Sequence, residues 1–308
     1  MFKLEIGFCL GAIGYIPSSL DLSFIKQRPR KTKSLSDLTS YFGPKILTSN
    51  NEYLLVYGDE YLCRFDNDLK YIKTKIDGLG YSKELLDIVW CPFISRFIIL
   101  TDEKFYLLEP ITMRSQSIEN IQFQQDEKKF VSCACLNDKL YIVTEDSEYT
   151  SYLDCYSLPD FNFIYKWTVM ELIGAGPAKT KLNKYSTSED SPEITFVRSN
   201  KNKLGLIMRI EGDNYLYVLD PTHQPFQFAR IKVSFSTKQL TTLTQSNEWL
   251  IICDDYNNTL IQISLNCEFK TEFDGKNGIY SDNVTHIAVF KASCLAVIRS
   301  KQLELYTV

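Results

Sequence analysis

The stretch that decides the fold is Glu248–Ile263, EWLIICDDYNNTLIQI. Two apolar runs, each the length of a short strand, flank a polar turn of Asp, Tyr and Asn residues. Runs rich in Ile, Leu and aromatic side chains, bounded by turn-forming residues, are typical of antiparallel strands joined by a tight turn. This segment therefore predicts one hairpin of a β-sheet.

Strand groups of the same kind recur from Lys45 onward, and long helical periodicity is almost absent. In the first group we predict strands at Lys45–Ser49, Tyr53–Tyr57, Tyr61–Asp66 and Tyr71–Ile76. Successive groups begin about 41, 44, 63, 46 and 44 residues apart, and a repeat of about 40 to 45 residues with four strands is typical of a β-propeller. The sequence predicts an all-β fold, a six-bladed β-propeller with four-stranded antiparallel blades. A seven-bladed arrangement that uses the N-terminal segment is the alternative.

The last repeat ends after three strands, the third at Leu303–Val308. A circular array must still close, and an unpaired edge there would invite aggregation. We therefore predict that an N-terminal strand, Phe2–Ile6 or Leu22–Lys26, completes the last blade. A three-stranded blade or a truncated gene model is the alternative.

The N-terminal segment, residues 1–40, is predicted to hold this closing strand and a basic linker, with the propeller at residues 41–308. The apolar run Ile6–Ile16 fits a strand or the core of a signal segment. The basic run Lys26–Lys33 fits a solvated linker, a nuclear localisation patch or a kinase recognition site. Within the propeller, the long third interval predicts a mobile insertion at residues 168–192, which no strand pattern explains.

Glu248–Ile263 also resembles the middle strands of an NHL repeat, in which an apolar strand, an Asp, an Asn-containing turn and a second apolar strand follow one another. The histidine usual near that turn is replaced by Asn258 or Thr259. The resemblance covers about 25 of the 308 residues, and the other units match only as generic blades. It implies an NHL-like or WD40-like propeller and carries over no catalytic residue.

The composition is that of a soluble folded protein, with 44% hydrophobic and 23% charged residues among 308. Nine cysteines, an odd number without a CxxC motif, are typical of reduced buried thiols. This favours a cytoplasmic location, with the nucleus as an alternative, over secretion. No apolar stretch reaches the roughly 18 residues of a membrane span, so no membrane partner is expected.

The candidates for catalysis or metal binding are few. Calcium takes oxygen ligands, and six-bladed propellers resembling lactonases hold it in the central channel. The inner strands offer four candidate ligands: Asp87, Glu193, Asn283 and His286. A calcium-dependent lactonase-like or esterase-like hydrolase is therefore one alternative, but the preferred interpretation includes no catalytic residue and no cofactor.

The turns between second and third strands are acidic in five of the six repeats, and in a propeller these turns project from one face. The residues are Asp59, Glu60, Asp102, Glu103, Glu145, Asp146, Glu148, Glu211, Asp213, Asp254 and Asp255. The structural explanation of these acidic turns is that Asp is favoured in tight turns, because its side chain forms hydrogen bonds with the nearby backbone. The functional explanation is an acidic face that attracts basic peptides.

The preferred function is a non-catalytic protein–protein interaction module, a scaffold whose partner is a protein or peptide. The acidic face favours a basic one. An RNA-binding NHL-like propeller is a further alternative. Residues 1–40 carry a net charge of +3, which leaves −7 for the propeller in a chain of net charge −4. Because phosphate contacts dominate nucleic-acid affinity, nucleic acid is not favoured unless one face is locally basic.

Overall fold

The computed structural model describes residues 28–36, 45–58, 61–75, 84–121, 129–174, 192–221, 228–233, 237–243, 248–253, 259–264, 267–273, 284–290, 294–299 and 301–307. They form 24 strands and one short helix. None of the helical residues in these ranges forms a segment long and apolar enough to cross a membrane.

The strands group into six blades along the chain. The first strand, β1 (Lys31–Ser34), precedes blade 1, which holds β2 (Ile46–Ser49), β3 (Leu54–Gly58), β4 (Tyr61–Phe65) and β5 (Tyr71–Thr74). Blade 2 holds β6 (Leu85–Cys91), β7 (Arg96–Thr101), β8 (Phe105–Leu108) and β9 (Ser115–Ile118). Blade 3 holds β10 (Lys129–Leu136), β11 (Lys139–Glu145), β12 (Ser151–Ser157) and β13 (Phe163–Thr168). Blade 4 holds β14 (Glu193–Asn200), β15 (Lys203–Ile210), β16 (Asp213–Leu219) and β17 (Phe228–Val233). Blade 5 holds β18 (Thr237–Leu243), β19 (Glu248–Cys253), β20 (Leu260–Ile263) and β21 (Phe269–Phe273), and blade 6 holds β22 (Val284–Phe290), β23 (Cys294–Arg299) and β24 (Gln302–Thr307).

Each blade is a four-stranded antiparallel sheet in chain order, and β1 is the fourth strand of blade 6. The first strand of each blade is the innermost, and the six inner strands contact one another in a closed ring that runs β2, β6, β10, β14, β18, β22 and back to β2. The prediction of a six-bladed propeller with an N-terminal strand in the last blade is confirmed.

The hydrophobic core lies between the blades. Six clusters of buried apolar side chains occupy the six junctions between neighbouring blades. A second strand such as β3 or β19 is covered by a neighbouring blade on both faces, and all its residues are buried. This explains why these strands are continuous apolar runs without the alternation expected of a strand that has one face in water.

The closing strand lies later in the chain than predicted. Lys31–Ser34 pairs with Leu305–Gln302, and the backbone bonds from Arg30 N to Leu305 O and from Leu35 N to Lys301 O extend this ladder. The two segments predicted for this role, Phe2–Ile6 and Leu22–Lys26, lie outside the described residues. The linker interpretation is wrong for Lys31–Lys33, because an outermost strand has solvent at its edge and needs no apolar pattern, and edge lysines oppose aggregation.

The insertion predicted at residues 168–192 begins with helix α1 (Val169–Gly174). Thr168 and Glu171 form a capping box: Glu171 N donates to Thr168 Oγ1 over 3.1 Å, and Thr168 N donates to Glu171 Oε2 over 2.7 Å. Leu172 and Ile173 are buried in the cluster between blades 3 and 4. The start of the insertion is therefore part of the core, and residues 175–191 lie outside the described residues.

Gly205 on β15 packs against the indole of Trp249 on β19. A Cβ atom at residue 205 would lie 2.6 Å from Trp249 Cζ3, and the indole is fully buried and has no room to move. We expect Gly205→Ala to lower the free energy of unfolding by about 1 to 3 kcal/mol, measured by urea denaturation. In a Trp249→Phe background, the same substitution should cost less, because the phenylalanine side chain lacks the indole atoms Cζ3 and Cη2 that the new Cβ atom would approach most closely. An equal cost in both backgrounds would contradict the steric explanation.

Candidate functional sites on the turn face and in the channel

The turns between second and third strands lie on one face of the ring, which we call the turn face. The inner strands begin on the same face, as the bond from Asp102 N to Glu84 O just before β6 shows. Glu211 and Gly212 form one of these turns with φ values of 53° and 80°, both in the left-handed region that a tight hairpin turn requires. Glu103, Glu148 and Glu211 are exposed here.

A cluster of carboxylates lies on the turn face at the junction of blades 3 and 4. Glu145 at the end of β11 is half-buried, and burial raises the pKa of its carboxyl group. The nearby charges of Glu193 and Asp146 raise this pKa further, while Lys129 and Arg209 lower it. Glu193 lies at the start of β14 and forms an ion pair with Arg209 at 2.9 Å. Like charges held this close disfavour the ionised form, and an added cation would relieve the repulsion.

Other acidic residues of the turn face have local roles. Asp146 Oδ1 accepts hydrogen bonds from Glu148 N and Thr150 N at 2.9 Å each, the pattern that favours Asp in turns. Asp213 pairs with Lys232 at 2.6 Å. Asp102 is half-buried, and its Oδ1 atom has no hydrogen-bond partner within the described residues. Four of the predicted residues, Asp59, Glu60, Asp254 and Asp255, lie outside the described residues.

An ion pair between a buried carboxylate and a partly buried guanidinium joins blades 2 and 4 in the central channel. Arg198 on β14 binds Asp87 on β6 through two hydrogen bonds, Nη1 to Oδ2 at 2.7 Å and Nη2 to Oδ1 at 2.8 Å. The pair spans the inner strand of blade 3, where Ser132 Oγ and Cys133 N both donate to Asp87 Oδ2. Such a bidentate geometry is the strong form of an arginine–carboxylate contact. Asp87 is thus a link between three blades.

Asp87 belongs to a ring of polar side chains at equivalent positions. A register shift occurs at the start of the inner strand in blades 2 to 6, and the residue that follows it is Asp87, Ser132, Phe196, Gln239 or His286. All but Phe196 bond the backbone of the next blade: Ser132 Oγ accepts from Val197 N, and Gln239 bonds both Ile287 N and Ile287 O. His286 Nε2 lies 2.8 Å from Lys45 O. These side chains connect neighbouring blades around the channel.

The four predicted calcium ligands are placed differently from one another. Asp87 binds Arg198, Glu193 lies beside Glu145 and Arg209, and His286 contacts Thr285 and the Lys45 carbonyl. Asn283 lies outside the described residues. Within the described part of the chain, no group of three or more His, Cys, Asp or Glu side chains could hold a metal ion. The calcium site stays a prediction.

The channel encloses a cavity of about 570 Å³ lined by residues of all six inner strands. Its charged lining residues, among those the structure describes, are Arg198 and Lys201, and Asn200 Oδ1 is buried there without a described hydrogen-bond partner. It opens past Phe93 and Asn137, on the face opposite the turn face. This lining suits a neutral polar or anionic group better than a cation.

The closed ring of six blades defines a six-bladed β-propeller, and solved propellers are similar to it. A chain of the mitotic checkpoint complex covers 100% of this chain and 98% of its own length, at 10% identity and a TM-score of 0.57. U3-55K covers 89% of this chain and 83% of its own length, at 8% identity and a TM-score of 0.54. The Pan2 WD40 domain of Neurospora crassa covers 88% of this chain and 79% of its own length, at 10% identity and a TM-score of 0.50.

Identities this low show the fold alone. No family model matches the sequence, and a search of curated proteins gives no match. The WD40-like part of the predicted resemblance is supported at the level of the fold, and the NHL-like part stays a prediction.

Proposed function

We propose that this propeller is a non-catalytic interaction module whose turn face binds basic peptide segments. The observation that carries the proposal is the carboxylate cluster at the junction of blades 3 and 4. Burial raises the pKa of Glu145, and the nearby negative charges of Glu193 and Asp146 raise it further. A lysine or arginine side chain of a partner would lower that repulsion, so binding and the ionisation of Glu145 favour each other.

Exposed carboxylates on neighbouring blades extend the site. Glu148 is in the same blade as Glu145, Glu103 projects from blade 2, and Glu211 projects from blade 4. A basic segment several residues long would meet these charges on three successive blades. Because exposed charges act through water, they contribute mainly to association rate and specificity, and salt should weaken their effect.

Reversing charge at the exposed turn positions should weaken capture of a basic peptide. We expect the triple variant Glu103→Lys, Glu148→Lys, Glu211→Lys to bind a fluorescent Lys- and Arg-rich peptide at least about tenfold more weakly, measured by fluorescence anisotropy. Glu145→Gln should reduce binding by a smaller factor. Asp146 is left intact because it stabilises its own turn.

The matched control reverses three exposed acidic residues on the opposite face or the outer rim: Glu52→Lys, Asp138→Lys, Asp160→Lys. It changes the net charge equally, so it separates a local site from a general charge effect. Equal weakening by both triple variants, or unchanged binding by the turn-face variant, would remove the turn face as the binding surface. Circular dichroism of each variant checks that the fold is intact.

A further inference from the structure

The outer edges of blades 6 and 1 lie side by side and form a strongly basic surface, which we call the basic rim. Its cations are Arg28, Arg30, Lys31, Lys33, Lys70, Lys73 and Lys75, carried by β1, by β5 and by the residues that flank them. The chain as a whole has a net charge of −4. This clustering is therefore a local feature of one edge and opposite in sign to the rest of the molecule.

Side-chain contacts hold the two edges together. Lys31 Nζ donates to Asn67 O over 2.8 Å and to Asp68 Oδ1 over 2.6 Å, and Lys33 Nζ lies 5.2 Å from the centre of the Tyr71 ring. The pKa of the exposed Asp68 carboxyl is lowered, first by the hydrogen bond from Lys31 and also by the charges of Lys70 and Arg30. The cations of β1 and of blade 1 thus act on the same region.

Among the described residues of this region, the two carboxylates, Asp66 and Asp68, already have partners. Asp68 pairs with Lys31, and Asp66 Oδ1 accepts hydrogen bonds from Asp68 N and Lys70 N. Further along β5, Lys73 Nζ lies 3.6 Å and Lys75 Nζ 5.0 Å from the centre of the Tyr61 ring. Lysines and tyrosine rings therefore alternate along one face of the basic rim, and the described cations there outnumber the described carboxylates.

The exposed outer edge of β5 and the spacing of its lysines indicate which anion fits. It is the last strand of blade 1, its residues are exposed or half-buried, and no described strand pairs with its outer edge. Lys73 and Lys75 point to the same side and are about 7 Å apart, because alternate residues of a strand share a face. Acidic side chains at alternate positions of an added strand have the same spacing, and oppositely charged cross-strand pairs are favourable.

We propose that the basic rim binds an extended acidic peptide, which pairs with β5 as a fifth strand of blade 1 and places alternate Asp or Glu side chains against the lysines. Strand addition of this kind obtains affinity from main-chain hydrogen bonds and specificity from alternate side chains. Ile72, 48% exposed on the other face of β5, would contact the peptide's apolar positions. Single-stranded nucleic acid fits less well, because Lys73 covers a face of the Tyr61 ring on which a base would stack.

The test uses the full chain and a fluorescent peptide of about ten residues in which Glu alternates with Val or Thr. One comparison peptide has the same composition with all Glu residues in one block. A second carries N-methyl groups on its backbone amides, so it donates no ladder hydrogen bond whichever of its edges faces β5. We expect the alternating peptide to bind most tightly, and increased salt to weaken it.

Lys73→Glu combined with Lys75→Glu should weaken binding of this peptide by about tenfold or more. The milder double variant, Lys73→Gln with Lys75→Gln, should weaken binding by a smaller factor. It replaces the charge reversal as the test if the reversal disturbs the fold. The matched control, Lys104→Glu with Lys201→Glu, makes the same charge change at exposed residues away from the basic rim and should leave binding unchanged.

Three results would overturn the proposal. Binding of an oligothymidine strand or of anionic phospholipid vesicles as tight as that of the alternating peptide would show a general polyanion surface. Equal binding of the N-methylated peptide would exclude strand pairing. Absence of peptide binding would leave the lysines with edge protection as their only role. Since the carboxylates of the proposed basic-peptide site lie on blades 2 to 4 and the basic rim lies on blades 6 and 1, none of these results bears on the binding of basic peptides.

Discussion

A chain that begins at residue 37, and therefore lacks β1, is expected to lose a large part of its stability and to aggregate. The deletion removes four cross-strand residue pairs with β24 and the fully buried Leu35. Burial of a leucine contributes about 2 to 3 kcal/mol and each ladder hydrogen bond about 1 kcal/mol, while whole domains are stable by roughly 5 to 15 kcal/mol. The exposed edge of β24 would also be free to pair with another molecule.

The matched control for this deletion is a chain that begins at residue 28, which keeps the closing strand. Thermal unfolding and light scattering of both chains measure the effect, and Leu35→Ala isolates the contribution of the buried side chain. Equal melting temperatures for the two chains would contradict the role of β1. A loss that is already complete in the chain starting at residue 28 would instead support the sequence-based assignment of the closing strand to Leu22–Lys26 or Phe2–Ile6.

Asp87→Ala should be among the most damaging single substitutions in the molecule. It leaves the Arg198 guanidinium without its counter-ion and removes the acceptor for Ser132 Oγ and Cys133 N. Breaking a buried ion pair in this way costs about 3 to 5 kcal/mol, whereas replacing both partners with apolar residues is often close to neutral. We therefore expect urea denaturation to show a large loss for Asp87→Ala and substantial recovery in Asp87→Leu combined with Arg198→Met.

Two outcomes would contradict this account of Asp87. A loss below about 1 kcal/mol for Asp87→Ala would mean that the ion pair does not link the blades. One calcium ion per chain that survives dialysis and disappears in Asp87→Ala, measured by elemental analysis, would favour the lactonase-like hydrolase instead. In that case Asp87 would be a metal ligand, and the proposal of a non-catalytic module would be rejected.

The strands were the most predictable part of this protein. For the first blade, the predicted Tyr61–Asp66 and Tyr71–Ile76 match β4 and β5 to within two residues. The reason is local: short β-rich runs and the turn residues between them carry the signal for a strand, and the repeat length carries the signal for a propeller. The helix α1 was missed although its capping-box residues, Thr168 and Glu171, are visible in the sequence.

The candidate sites were less predictable. Glu145 and Glu193 were assigned to different sites, an acidic face and a calcium site, and the structure places them beside each other. Asp87 and Arg198 are 111 residues apart, and nothing in either local sequence indicates that they pair. A sequence pattern identifies which residues share a strand face, but the partner of a channel side chain depends on how several blades are arranged around the axis.

The sequence by itself determined the fold class, the four-stranded repeat and the acidic character of the turns, because each of these follows from residues close together in the chain. Only the tertiary structure decided between six and seven blades, which strand closes the ring, which charges neutralise one another and where charge of one sign collects. The polar run Lys31–Ser34 becomes a strand because β24 offers it an unpaired edge, and Leu35 anchors its end. Its lysines become part of a basic rim because ring closure brings the last blade against the first.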